Sequence, residues 1–517
     1  MKHFLKKIFN RFNLIIIFLL MQIVTIVVLV DYLTWQFEVF FWIFNILALV
    51  SAFHTLSKDE AAEYKLLWLI AMGFAGIYGV AFYYMFRNNM SAKGVEYKIK
   101  KESEKTLEFH IQDDLLLEDI KLQNTRFYGI SRMVGQQDYI TYNRTICKYY
   151  PFGQDMFEDM LEDLRLAEKY IFMEYFIIHE GYMWNSILQI LLEKAKAGVQ
   201  VKLMTDGFGS SLLFTFEYRH YLQKNGIEVL LFSPQVPLVS MLKNNRDHRK
   251  IMVIDCKVAY NGGINIGDEY INKIKRFGIW KDTGVRLFGP AVWGFTLMFL
   301  QMWNSFKKDN ATLDYEQFRF DYEEHKDDIH GNLRKIDYDK RSAVIPFGVS
   351  PFGRERLGEN VYIEILNRSV NYCYITTPYL ILSEKMIHAL RLAAKRGVDV
   401  RIIVPGIADK KLVYSVSRGY YRFLLPDGVK IYEYTPGFLH AKMFVSDDEI
   451  AVVGTINLDY RSLYLHFECG TVLCNKGAIQ DIKDDILTTM KVSEIILKPK
   501  PRIPFISSVL HLITPLL

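Results

Sequence analysis

The sequence predicts an α/β fold: N-terminal transmembrane helices followed by two homologous lobes with pseudo-twofold symmetry and one active site at their interface. Three observations carry this. His248-Arg249-Lys250 with Asp255, closed by Gly262-Gly263-Ile264-Asn265, returns far downstream as His440-Ala441-Lys442 with Asp447, closed by Gly454-Thr455-Ile456-Asn457. The chain around each string alternates helical and strand periodicity. The apolar excess of a chain that is 50% hydrophobic lies mainly at one end.

That end comes first. After a leader with Lys2, Lys6, Lys7 and Arg11, residues 13–30 run almost without charge, and two more apolar runs follow at about 39–53 and 66–86. The first is long enough to cross a bilayer and lacks a small-x-small cleavage site, so it is expected to be retained. The second is short and aromatic, open to a re-entrant or interfacial placement; the third reads as a clear span. Basic residues flank both ends of the region, so the positive-inside rule leaves the side of the large domain open. Residues 1–86 are read as the anchor and 87–112 as a charged neck.

The first lobe is expected over 113–306. Met156, Phe157, Met160, Leu161, Leu164 and Ala167 recur at helical spacing, and the β-rich run Tyr170–Ile178 follows. Ile187–Ala197 is an amphipathic helix stopped at Gly198, and Val199–Met204 is the next buried strand. A charged stretch at 307–341 is the linker, and 342–517 is the second lobe. There Arg396-Gly397-Val398-Asp399-Val400 echoes Ala197-Gly198-Val199-Gln200-Val201, and Gly428-Val429-Lys430-Ile431 echoes Gly226-Ile227-Glu228-Val229. Several elements in one order are an internal duplication with a period of roughly 190 to 200 residues, too long for a solenoid.

Composition adds limits. Sixty-three basic against 58 acidic residues leave +5, a mild excess that suits an anionic surface and does not argue for nucleic acid. The five cysteines lack CxxC spacing and read as reduced thiols. P-loop, nucleophile-elbow and zinc spacings are missing.

On a strand, residues i and i+2 share a face, so His248 with Lys250, and His440 with Lys442, point the same way. Asp255 and Asp447 stand seven positions on, an odd offset that turns them to the opposite face and gives them a structural role in pairing or turn capping. Asn265 and Asn457 can donate amide hydrogen bonds to phosphate. Two imidazoles, two ammonium groups and two amides suit a phosphodiester: the lysines stabilise charge on non-bridging oxygens, so neither metal nor cofactor is expected. One imidazole can attack phosphorus while the other protonates the leaving alcohol and deprotonates the incoming one. Fixing their tautomers takes carboxylates, and Trp280-Lys281-Asp282 and His466-Phe467-Glu468 offer Asp282 and Glu468. His466 and His220 fit no part of the pattern and are read as satisfied surface or core histidines.

These residues resemble the phospholipase D superfamily and, more narrowly, the bacterial cardiolipin synthases. The resemblance rests on Asp247-His248-Arg249-Lys250-Ile251, Gly262-Gly263-Ile264-Asn265-Ile266-Gly267-Asp268-Glu269-Tyr270, Trp280-Lys281-Asp282-Thr283, Thr377-Pro378-Tyr379 and Asn457-Leu458-Asp459-Tyr460-Arg461-Ser462. It implies transfer of a phosphatidyl group between two phosphatidylglycerol molecules, giving cardiolipin and glycerol through a phosphatidyl-histidine. It further implies His248 as nucleophile, His440 as acid and base, and a catalytic set of His248, Lys250, Asp255, His440, Lys442 and Asp447. The implied location is the bacterial cell membrane, multi-pass, on anionic phospholipid, with homo-oligomerisation left open. Gly454-Thr455 in place of Gly262-Gly263 means the halves need not be chemically equal. Alternatives of the same chemistry are a hydrolytic phospholipase D or another phosphatidyltransferase; of another class, an inactive membrane scaffold. The apolar loop Val236-Pro237-Leu238-Val239 and the tail Ile506–Leu517, preceded by Lys498, Lys500 and Arg502, are candidates for the membrane interface.

Overall fold

The computed structural model describes residues 11–32, 36–58, 62–87, 90–232, 245–307, 313–322, 342–353 and 355–498. The loop at 236–239, the tail from 506 with Lys500 and Arg502, and most of the linker lie outside the described residues. The chain divides into two compact units, one carrying the N-terminal helices through Gly94 and the other beginning at Val95.

The N-terminal unit holds helices Arg11–Tyr32, Gln36–Leu56 and Ala62–Arg87, matching the three apolar runs. Among the described residues only Lys65–Tyr84, with mean hydropathy 1.8, is long and apolar enough to cross a membrane. The apolar stretches of the other two, Ile16–Val28 and Phe40–Leu56, are shorter. The third helix is interrupted at Gly76, whose φ of 50° is open to glycine and strained for other residues.

In the large unit, the first lobe is a seven-stranded mixed sheet. Its strands are β1 (Ile146–Tyr150), β2 (Tyr170–Tyr175), β3 (Gln200–Asp206), β4 (Ile227–Phe232), β5 (Lys250–Ile254), β6 (Val258–Gly262) and β8 (Gly284–Phe288). A short β7 (Ile279–Lys281) stands apart from it. The spatial order is β1-β8-β6-β5-β2-β3-β4. The second lobe has β9 (Ala343–Val349), β10 (Tyr372–Thr376), β11 (Asp399–Pro405), β12 (Lys430–Tyr434), β13 (Gly437–Leu439), β14 (Met443–Ser446), β15 (Ile450–Gly454), β16 (Glu468–Cys474) and β17 (Ser493–Ile496). Its sheet runs β9-β16-β15-β14-β10-β11-β12-β17, so each first-lobe sheet strand has a counterpart in the same place and β17 is an added edge. In both lobes the parallel strands follow helices, Tyr182–Lys196 before β3 and Glu384–Lys395 before β11. Each helix is closed by a left-handed glycine, Gly198 at φ 92° and Gly397 at φ 93°.

The lobes share one core. Helix Val292–Phe306 is apolar on nearly all sides and correspondingly buried. Phe299 stacks on Phe172 of β2 at 4.6 Å, while Gly294 on the same helix faces Pro346 of β9. Tyr149 Oη of β1 donates to Asp485 Oδ2 (2.6 Å) on helix Lys476–Lys491 of the second lobe. Lys281 Nζ donates to the same carboxylate at 2.8 and 2.7 Å, burying an ion pair across the lobe boundary.

Three boundaries differ from the sequence reading. The expected neck contains helix Met90–Thr106, whose Glu102 and Thr106 are buried; Glu102 Oε2 accepts from Tyr315 Oη at 3.0 Å. Charged composition hid a helix with one packed face. Helices Asp114–Gln123 and Thr125–Gly135, assigned to the first lobe, contact the second: Arg126 Nη1 lies 2.7 Å from Asp447 Oδ2 and Asn124 Nδ2 lies 3.5 Å from Cys474 Sγ. Part of the linker is packed too, since Phe318 is buried and its carbonyl accepts from Tyr170 Oη at 2.5 Å.

Candidate active site

Each His-x-Lys string sits at the entry of a central strand, β5 or β14, where the sheet holds its backbone on both sides. His248 N–H donates to Phe467 O (2.9 Å) and His440 N–H to Lys281 O (2.7 Å). These bonds cross the lobe boundary. Short parallel pairings create them: Phe438 of β13 opposite Trp280 of β7, and Asp247 opposite Phe467. The residue that follows each crossing segment is the orienting carboxylate, and it therefore meets the other lobe's imidazole. His248 Nδ1–H donates to Glu468 at 2.9 and 2.8 Å, and His440 Nδ1–H to Asp282 Oδ2 at 2.5 Å. Both sequence-predicted carboxylates are fully buried and reach the predicted imidazoles, crosswise. Donation from Nδ1 leaves each Nε2 as the lone-pair nitrogen.

The lysines are equally enclosed. Lys250 Nζ donates to His248 O at 2.6 Å and Lys442 Nζ to His440 O, so each ammonium is folded back beside its own histidine with donors to spare. Burial pushes Lys250 down to about 8, against the pull of Glu468. It pushes Lys442 down to about 7, with Asp282 opposing and Lys250 adding to the fall. Burial and then the Lys442 charge hold His440 down to about 4, although Asp282 pulls the other way. His248 is lowered well below its ordinary value by burial, then by Lys250, Lys442, His440 and Lys410. Both imidazoles are thus neutral near pH 7, set between two lysines and two carboxylates. The lysine N–H groups are the donors for a phosphodiester anion, whose charge favours the protonated form of both lysines.

The amides are unequal. Asn265 Oδ1 accepts from Ile177 N–H (3.0 Å) and its Nδ2 donates to Tyr270 Oη (2.8 Å), so this side chain is committed to its own lobe. Asn457 is buried with its Oδ1 unpartnered. The glycine-to-threonine departure has a function as well. Thr455 Oγ1 donates to Glu468 Oε2, bracing the carboxylate that holds His248. At the matching position a Cβ on Gly263 would stand 2.1 Å from Asp282 Oδ1, so only glycine leaves that carboxylate its place.

Asp255 and Asp447, counted in the catalytic set implied by the resemblance and given a structural role by their odd offset, bond backbone amides rather than the histidines and lysines. Asp255 accepts from the backbone N–H groups of Glu168 (2.7 Å), Lys169 (2.8 Å) and Tyr170 (2.7 Å). Asp447 does the same for Val370 (2.7 Å), Asn371 (2.9 Å) and Tyr372 (2.8 Å). Each opens a hairpin turn at positive φ, 53° and 54°, and staples it to the start of the neighbouring strand.

His466, read from the sequence as a satisfied surface or core histidine, is buried beside the site with its ring unsatisfied. It is 8% exposed, neither ring nitrogen has a hydrogen-bond partner, Nδ1 lies 3.7 Å from Glu468 Oε1, and its ring is 5.6 Å from that of His248. Its counterpart is Trp280, 5.5 Å from His440; the matched places before Glu468 and Asp282 were the available signal. His248, His466 and Glu468 offer ligand atoms within 4.8 Å of one another, a donor set dense enough for a cation, though the Lys250 and Lys442 ammonium groups oppose one there.

Residues 160–275 and 362–489 match the family model described as cardiolipin synthase, PLD-like domain. An uncharacterized protein of Streptococcus mutans is 45% identical over 87% of this chain and 96% of its own length. Cardiolipin synthase 2 of Staphylococcus epidermidis is 32% identical over 87% and 90%, and a cardiolipin synthase of Staphylococcus aureus is 31% identical over 88% and 91%. Among solved structures, phosphatidylserine synthase of Haemophilus influenzae superposes with a TM-score of 0.53 at 14% identity, over 72% of this chain and 95% of that one, a likeness of fold.

Proposed function

Because this chain belongs to the cardiolipin synthase family of phospholipase D-like enzymes, we propose that it transfers a phosphatidyl group from one phosphatidylglycerol to the hydroxyl of another, releasing glycerol. It is a phosphatidyltransferase. One observation supports the mechanism: two buried imidazoles, each bonded to the other lobe's carboxylate, lie within electrostatic reach of each other and of two lysines.

With the phosphodiester anion bound, His440 first takes up a proton on Nε2 from solvent. His248 Nε2 then attacks phosphorus, and the P–O bond to glycerol breaks as that proton passes to the departing oxygen. A phosphatidyl-histidine remains. The incoming hydroxyl gives its proton to His440, the new P–O bond forms, and the P–N bond breaks with its electron pair returning to His248. This order of roles follows the family resemblance, which implies the histidine of the first string as nucleophile. Burial and a lysine charge lower both imidazoles, and each donates Nδ1–H to a carboxylate, so the two rings are prepared alike. Lys250, Lys442 and Asn457 would hold the non-bridging oxygens, with Asn265 keeping the adjacent loop in shape.

The enzyme acts at a membrane in this reading, with the N-terminal helices holding it in its substrate pool. Helix Lys65–Tyr84 is the best-supported span, and a multi-pass anchor would recruit the other two. Incubating the purified full-length protein with phosphatidylglycerol vesicles tests the reading. Cardiolipin and glycerol in equal amounts are expected; phosphatidic acid without cardiolipin would replace it with a hydrolase.

A further inference from the structure

A cluster of cations beside the nucleophile remains unused by this mechanism. Arg246 stands two residues ahead of His248, and its carbonyl accepts from Phe467 N–H at 2.8 Å. Its side chain is 12% exposed, its guanidinium lies 4.8 Å from the centre of the Phe208 ring, and its buried Nη1 has no hydrogen-bond partner. Asp206 comes nearest, with Oδ1 at 3.9 Å. That carboxylate is spent on backbone amides: Oδ1 accepts from Phe208 (2.8 Å) and Gly209 (3.3 Å), and Oδ2 from Asp247 (3.2 Å).

Two further cations approach from the second lobe. Arg461, whose carbonyl accepts from His466 N–H at 2.9 Å, lies within electrostatic reach of Arg246: burial lowers its guanidinium, Asp459 opposes the fall, and the Arg246 charge adds to it. Lys410 stands 5.6 Å over the Tyr379 ring and contributes to the field that keeps His248 neutral. Acidic groups share the neighbourhood, Asp459 acting on Arg461, and each also accepts a hydrogen bond elsewhere. Asp459 Oδ1 accepts from Ser462 N–H (2.8 Å), Asp409 Oδ2 from Tyr379 Oη (2.5 Å), and Glu468 holds His248 and Thr455. A buried guanidinium N–H without a hydrogen-bond partner calls for a second anion.

The reaction proposed above supplies one. A phosphatidylglycerol acceptor brings its own phosphodiester, a few atoms from the attacking hydroxyl, whereas water and simple alcohols bring no charge. We propose that Arg246 forms a second anion subsite that holds the phosphodiester of the lipid acceptor and so directs the phosphatidyl-histidine to a lipid rather than to water. This rests on the phosphatidyl-transfer reading. The step it serves is the second one, in which the acceptor O–H loses its proton to His440 as the P–O bond forms and the P–N bond breaks.

The test is a competition in full-length enzyme on phosphatidylglycerol vesicles containing ethanol, with cardiolipin, phosphatidylethanol and phosphatidic acid measured together. In Arg246→Gln the ratio of cardiolipin to phosphatidylethanol falls roughly tenfold or more, the worth of a lost charge-assisted hydrogen bond, and Arg246→Lys recovers part of it. Both alcohols form their product from the same phosphatidyl-histidine, so a general defect in folding or donor binding leaves the ratio unchanged. An unchanged ratio would overturn the subsite while leaving phosphatidyl transfer intact. Phosphatidic acid and phosphatidylethanol without cardiolipin from the unmodified enzyme would overturn the transfer reading and the subsite with it.

Discussion

Glu468, on the second lobe, accepts the Nδ1–H of His248 on the first at 2.8 Å, and Asp282 returns the exchange to His440 at 2.5 Å. A carboxylate in this position fixes the tautomer and stabilises the imidazolium that forms at the transition state. Replacing Glu468 by Gln keeps the volume and removes the charge. We expect kcat to fall roughly 10²-fold or more with KM little changed, because the loss falls on the transition state. Equal falls in affinity and kcat would show that Glu468 serves binding instead.

The division of labour between the histidines is open to a leaving-group experiment. A phosphatidyl ester of nitrophenol departs without a proton, so His440→Ala should still release nitrophenolate in a single burst and hold the phosphatidyl group on His248. His248→Ala should give no burst. Quench and mass analysis of the protein reads both, and a burst retained by His248→Ala would reverse the assignment.

Lys442, pushed down to about 7 by burial, predicts the alkaline side of the pH profile. Its ammonium is present below that value and lost above it, so kcat/KM of the free enzyme should decline as pH rises past neutrality. Lys442→Arg replaces the group with one that stays charged. Whatever activity that variant keeps should extend to higher pH; an unmoved alkaline limb would assign it to another group.

Asp255 offers the opposite signature. Removing three amide acceptors in Asp255→Ala should lower stability by at least about 2 kcal/mol, since buried donors lose a charged partner. Thermal unfolding should show the loss, while turnover per correctly folded site, counted by the nitrophenol burst, stays near the parent value. A fall in that turnover with unaltered melting would return Asp255 to the chemistry.

The two closing runs should also respond differently. Thr455→Val removes one hydroxyl from Glu468 and is expected to cost activity roughly tenfold at near-parent stability. Gly263→Thr, which copies the other lobe, drives a Cβ toward Asp282 and should unfold the site or displace His440. Similar behaviour of the two variants would contradict the asymmetry described above.

Much of this was legible in the chain. Twinned His-x-Lys strings with matched glycine and asparagine revealed the duplication, and strand periodicity set the paired lysines on the histidine face. Asp282 and Glu468 were recognisable as the nearest carboxylates in matched places. Which imidazole each one meets was not, because that depends on the parallel pairing of β13 with β7 and of Asp247 with Phe467, contacts between residues some 160 to 220 positions apart. The same holds for Asn265: Tyr270 Oη claims its amide, which spacing alone does not reveal. His466 looked idle because its significance comes from a neighbour in the folded state. The helix at Met90–Thr106 was obscured by charge, its packed face being only a few residues wide.

The crossed carboxylates also bear on ancestry. Because neither lobe supplies an imidazole together with the group that orients it, a chain of half this length would have been inert alone. Two copies meeting about a twofold axis would each have completed the other. Within one chain the halves are free to differ, and Thr455 opposite Gly263, with His466 opposite Trp280, marks where the two ends of the site are distinct.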